Sequence, residues 1–150
     1  MTLVTLALVM VAMALTAAPA VAVDAAQQEQ NKRTVVEFYE KGLNQKDFEA
    51  AAKYFGPRYV QHNPRAADGP EGFKALLQLL REKFPQSRSE IKRVFADGDY
   101  VILHVHTVRE PGTRGVAIVD IFKLESGKIV EHWDVVQEIP EQAANPNGMF

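Results

Sequence analysis

His104, His106, Asp120, His132 and Asp134 stand in three Val- and Ile-rich runs, where an ordinary core strand would carry more aliphatics. Polar groups buried in a sheet cost free energy unless something pairs with them, so these runs are the place to look for chemistry. Asp120 lies between Ile118 and Phe122 on its face of a strand, an apolar setting. Desolvation there would raise its carboxyl pKa and suit it to moving protons near neutrality. The alternative is a structural tie to a backbone group or an arginine. His104-Val105-His106 puts two imidazoles on one strand face, a spacing that suits lining a pocket or chelating a metal. A second group, Tyr59, His62, Asn63 and Asp68, surrounds Pro64 and reads equally as a functional loop or as ordinary turn chemistry. All four histidines of the chain fall in these segments, which argues that the segments converge.

The elements that must position these groups follow from periodicity. Tyr100 to Gln137 reads as three consecutive antiparallel strands, broken at Pro111-Gly112 with Arg114-Gly115, and at Ser126-Gly127. On the first, Ile102, His104, His106 and Val108 share a face opposite Val101, Leu103, Val105 and Thr107. On the last, Val130, His132, Asp134 and Val136 oppose Ile129, Glu131, Trp133 and Val135, and periodicity does not choose the interior face. Upstream, Asp24 to Asn31 reads as a polar, Gln-rich lead-in, with the helical pattern beginning at about Gln28. Val35, Phe38, Tyr39 and Leu43 then mark one face of a helix. Asp47 caps a second helix, Phe48 to Phe55, which Gly56-Pro57 ends. Residues 58–63 read as a short extended piece. Pro70 suits the first turn of a third helix carrying Phe73, Leu76, Leu77, Leu80 and Phe84. Ser87 to Ala96 is a strand, Asp97-Gly98 a hairpin turn, and Pro140 to Phe150 a tail over the surface. Helices first and a strand meander last make an α+β layout, one curved sheet with three helices packed across it.

At 150 residues with net charge −2 and charges of both signs interspersed, there is room for one domain and no basic footprint for nucleic acid. The absence of cysteine removes disulfides, thiolate nucleophiles and Cys-ligated zinc. Leu3 to Val23 carries no charge and ends in Ala18-Pro19-Ala20-Val21-Ala22, small residues at signal-peptidase spacing. The expectation is an exported protein with residues 1–23 as a leader cleaved near Ala22 and a domain over 24–150. An uncleaved anchor is the rival reading.

The series RYVQHNP, DG-E-GF, H-V-H, VDIF and GKIVEHWDVVQ resembles the SnoaL-like polyketide-cyclase family of the NTF2-like superfamily, in particular its predicted aldol-condensation enzymes. The resemblance covers about Asn31 to Phe150. It implies a cone-shaped curved antiparallel sheet wrapped by three N-terminal helices. It carries the cyclases' acid/base aspartate to Asp120, their pocket histidine to His106 and a neighbouring polar position to His104. The steroid-isomerase branch of the superfamily carries its oxyanion-hole tyrosine to Tyr39 and its buried aspartic acid to Asp120 as well. The same comparison turns His132 and Asp134 inward and Trp133 outward. The isomerase's general base falls on Asn63, an amide that cannot take the proton, which disfavours an isomerase mechanism.

Two functions compete on this reading. One is a cofactor-free enzyme of aldol-condensation or cyclisation type, with Asp120 and His106 catalytic. Tyr39, Tyr59, His62, Asn63, His104, His132 and Asp134 then line a pocket for a small apolar carbonyl compound, with no metal. The other is an exported module that binds such a ligand without turning it over. Outward Ile129, Trp133 and Val135 would leave an apolar patch, so a homodimer packed through the outer side of the sheet is expected. No nucleic acid is expected as a partner, and no membrane beyond the leader.

Overall fold

The computed structural model describes residues 24–150, and residues 1–23, the expected leader, lie outside the described residues. Asp24 accepts a hydrogen bond from Gln27 N and caps α1, Ala25–Tyr39. The helix therefore begins inside the stretch that its polar composition marks as a lead-in, because a good N-cap offsets the lack of apolar residues. Its buried face carries Val35, Phe38 and Tyr39. The chain then widens into a π-helical turn, Glu40–Asn44. Gly42 lies within it, and a Cβ there would stand 2.7 Å from Phe73 Cζ, so glycine lets the third helix approach. Asp47 caps α2, Phe48–Ala52, through Ala50 N as expected.

β1 runs Phe55–Gln61, so Gly56 and Pro57 sit inside a strand rather than only ending the helix. This is an edge strand, where a proline's missing donor is tolerated. Gly56 faces Val130 so closely that a Cβ would stand 2.7 Å from Val130 Cγ1. α3, Gly69–Lys83, has Pro70 in its first turn and buries Phe73, Leu77 and Leu80. The strands β2 (Arg88–Asp97), β3 (Tyr100–Val108), β4 (Val116–Glu125) and β5 (Lys128–Glu138) follow.

The sheet order is β1-β5-β4-β3-β2. Four strands form the expected antiparallel meander, and β1 joins β5 in parallel at the edge. Parallel neighbours need a long connection, and here the whole of α3 and the meander supplies it. That pairing sets Gln61 beside His132.

The core lies between the helices and one face of the sheet. Val35, Phe38, Tyr39, Phe73, Leu77 and Leu80 meet Val101, Leu103, Val105, Phe122 and Leu124. Phe38 packs against the rings of Phe55, Phe73 and Phe122 at 5.0 to 5.8 Å. Each such ring contributes about 1.5–3 kcal/mol by leaving water. Ile129 is fully buried in this core, contrary to its expected place on the outer patch. A register shift between Lys123 and Leu124 lets the start of β5 bury both Ile129 and Val130.

Candidate active site

Alternation along β3 decides which histidines reach the interior. Val101, Leu103 and Val105 are 0 % exposed beneath the helices, so Ile102, His104 and His106 face the other way. Leu103 is the register partner of Asp120, and Asp120 the partner of Asp134, so these three share the inner face. His104 and His106 are therefore not pocket residues, and the catalytic and lining roles that the resemblance implies for them do not hold. They interact on the outer face instead. His104 Nδ1 accepts from Arg93 Nη1 at 2.9 Å, and His106 Nε2 donates to the Arg114 carbonyl at 2.7 Å. The tail returns over them as expected: the Phe150 ring lies 5.2 Å from His104 and 4.8 Å from His106, with the Lys92 ammonium 5.5 Å above it. Three aliphatics on one face of β3 against two imidazoles on the other was the signal that could have placed these histidines outside.

His62 also lies outside. Its ring stacks on Trp133 at 4.5 Å and 5°, and Nε2 stands 3.2 Å from Glu131 Oε2. Trp133 takes the outward position expected of it.

Inside, a cavity of about 820 Å³ opens between the sheet, α1 and α3. Phe38, Leu43, Phe73, Leu76 and Leu80 form its apolar wall. Tyr39, Tyr59, Asn63, Asp120, His132 and Asp134 all line it. A second hollow of about 490 Å³, beside Lys46, Phe48 and Arg81, contains none of the predicted residues.

The polar residues form one connected network. Tyr39 Oη donates to Asp120 Oδ2 at 3.0 Å, and His132 Nε2 lies 3.0 Å from Asp120 Oδ1. His132 Nδ1 lies 3.0 Å from Gln61 Oε1, which also accepts from Asn63 N at 2.9 Å. Gln61 Nε2 donates to Tyr59 Oη at 3.1 Å. Asn63 Nδ2 donates to both oxygens of Asp134 at 2.7 Å. Asn63 is thus a donor toward a carboxylate. Asp68 supports the network from outside by accepting from Gln61 N at 2.8 Å.

Burial governs the electrostatics. Asp120 is 4 % exposed and His132 8 %. Burial first, and the Asp120 charge second, hold the Tyr39 phenol well above its ordinary value, so it is a neutral donor. Tyr59 is pushed up for the same leading reason, with Asp120 and Asp134 adding to it. Gln61, Ser89 and Thr107 were not anticipated. Ser89 and Thr107 face each other across β2 and β3 with hydroxyls 2.8 Å apart on the cavity wall. Their placement needs the register of the folded sheet.

Asp120, His132 and Asp134 bring ligand-type atoms within 4.8 Å of one another, the geometry a divalent ion would need. Their donor set suits a cation that accepts nitrogen and oxygen ligands. Yet Tyr39, Gln61 and Asn63 already hydrogen-bond all three, so the network is complete with protons alone.

The SnoaL-like domain model matches residues 35–132, nearly two thirds of the sequence, from the last turns of α1 to His132 in β5. The chain belongs to the SnoaL-like family. No curated protein sequence matches it. Solved structures resemble this SnoaL-like domain at low identity. A candidate polyketide cyclase from Bacillus cereus superposes with TM-score 0.66 at 19 % identity, covering 76 % of this chain and 78 % of that one. TsrD from Streptomyces laurentii gives 0.61 at 20 %, covering 76 % and 90 %. A candidate ketosteroid isomerase from Kribbella flavida gives 0.63 at 18 %, covering 79 % and 85 %. At these identities the likeness shows the fold, and a fold of this kind hosts many chemistries.

Proposed function

We propose that this SnoaL-like domain performs cofactor-independent acid/base chemistry, of aldol-condensation or cyclisation type, on a small carbonyl compound held in the apolar cavity. One observation carries the reading. A buried carboxyl, Asp120, stands between a neutral phenol and an imidazole on the wall of a cavity whose opposite side is apolar. Polar groups that converge on a ligand-sized cleft with an apolar wall are the default candidate for a binding or active site. Asp120, with His132 in the role first given to His106, removes a proton α to the carbonyl. The electron pair stays on the substrate as an enolate, and Tyr39 or Asn63 donates a hydrogen bond to its oxygen. The enolate carbon then closes on a second carbonyl, and the proton returns to the alkoxide formed.

A second reading is a binding module without turnover. It is favoured by one feature: both oxygens of Asp120 and both ring nitrogens of His132 already have partners. The discriminating experiment incubates wild type and Asp120→Asn with methyl acetoacetate in D2O and follows exchange at the α-carbon. Enzymatic chemistry predicts exchange that Asp120→Asn lowers at least about a hundredfold, the range of general acid/base catalysis. No exchange in wild type, with a small apolar molecule co-purifying unchanged, favours the binding module.

Export through the apolar leader is our proposal for location. An intact mass short by about 22 N-terminal residues supports it, and a full-length mass opposes it.

A further inference from the structure

Gln61 carries no charge and no role legible in the sequence, yet its amide bears on the protonation of the site. Its Oε1 lies 2.9 Å from Asn63 N and 3.0 Å from His132 Nδ1, and its Nε2 lies 3.1 Å from Tyr59 Oη. A backbone N–H only donates, so the amide must turn its oxygen toward Asn63; the flipped amide would set two donors face to face. The same oxygen meets His132 Nδ1. An amide oxygen only accepts, so Nδ1 must bear a proton.

The other ring nitrogen, Nε2, lies 3.0 Å from Asp120 Oδ1. Those two atoms then share one proton. With none, two lone pairs would oppose each other; with two, two donors would. The proton rests on Nε2, giving imidazolium and carboxylate, or on Oδ1, giving a carboxylic acid beside a neutral ring. Tyr39 occupies the other oxygen of Asp120 from α1. The cavity wall around the pair also carries Tyr59 from β1 and Asp134 from β5, the latter held by Asn63, together with Arg65, Arg109, Glu110, Arg114 and Glu138. Gln61 itself is held through its backbone by Asp68, and through strand register by His132.

We propose that Gln61 is a positioning residue that locks His132 with Nδ1 protonated, so that His132 and Asp120 hold a single proton between them. The use of that proton in turnover rests on the proton-transfer function proposed above; the lock does not. With the pair as imidazolium and carboxylate, a substrate C–H proton passes to Asp120, its electron pair stays on the substrate, and the same proton is returned when the product alkoxide forms.

The test is long-range proton–nitrogen correlation NMR on protein labelled with 15N-histidine, His132 being assigned by the signals lost in His132→Gln. Wild type is expected to show His132 Nδ1 protonated throughout, between about pH 5 and 8. Gln61→Leu, which removes the acceptor, is expected to populate the ring with a bare Nδ1. Gln61→Glu, which keeps an acceptor oxygen, is expected to restore the wild-type pattern. A bare Nδ1 in wild type, or an unchanged ring in folded Gln61→Leu, overturns the proposal. If Gln61→Leu does not fold, the wild-type spectrum still decides. Nδ1 protonated in wild type alongside undiminished α-exchange in Asp120→Asn leaves the lock standing and removes the proposed function. A bare Nδ1 with Asp120-dependent exchange does the reverse.

Discussion

Tyr39 and Asp120 are 81 positions apart in sequence and 3.0 Å apart in the fold, phenol to carboxyl, at the centre of the domain. The bond ties the last residue of α1 to the middle of β4, so the same contact that shapes the site also docks the helix on the sheet. Tyr39→Phe deletes the donor and leaves a buried carboxyl oxygen short of a partner, which costs about 1–3 kcal/mol. Urea unfolding near neutral pH is expected to show that loss with an unchanged m-value. An unaltered midpoint would mean that water replaces the hydroxyl.

The two buried phenols make stability sensitive to alkali. Tyr39 and Tyr59 are both raised above their ordinary value, chiefly by burial. A raised folded-state value means that their contribution is complete below the unfolded phenol pKa of about 10 and declines as pH rises beyond it. Unfolding free energy is expected to be level across pH 7 to about 9.5 and to fall above about 10. In Tyr39→Phe/Tyr59→Phe the alkaline slope should be shallower. Equal slopes in the two proteins would contradict the burial of these hydroxyls.

His104 and His106 lie on the outer face of β3, with Arg93, the Arg114 carbonyl and Phe150. His104→Gln/His106→Gln is therefore expected to leave occupancy of the cavity and any α-exchange within about twofold of wild type, as for substitutions away from a site. Its effect should be local, seen as faster proteolysis of residues 140–150 once the Phe150 ring loses its platform. A large loss of exchange with the tail still protected would restore the inward role.

The outer face also exposes apolar side chains: Val135 is 70 % exposed, Phe95 55 %, and Val119 and Tyr100 about 41 % each. Such a surface usually marks a partner, and we propose a second copy of the chain. Light scattering at micromolar concentration is expected to give twice the chain mass of 16.7 kDa, less any leader removed. Val135→Lys/Phe95→Glu should return the monomer. A monomeric wild type would count against the assembly.

By itself, the sequence determined the α+β order, the hairpin breaks, the start of the second helix at its Asp47 cap, the third helix with Pro70 in its first turn, and the apolar neighbourhood of Asp120. Each of these is written in local spacing: a two-residue period in the strands, a 3.6-residue period in the helices, and turn residues between them. The resemblance added the family, and with it the inward turn of His132 and Asp134. Tertiary structure decided what spacing leaves degenerate. A strand offers two faces, and only the helices packed on Val101, Leu103 and Val105 choose between them, which moved His104 and His106 outside and left His132 as the histidine beside Asp120. Ile129 went inward for a similar reason, a register shift between β4 and β5 that no local pattern announces. Gln61 is the sharpest case. Its importance comes from lying beside His132 in a parallel pairing across 71 residues of chain, and hydrogen-bond direction has meaning only once both partners are in place.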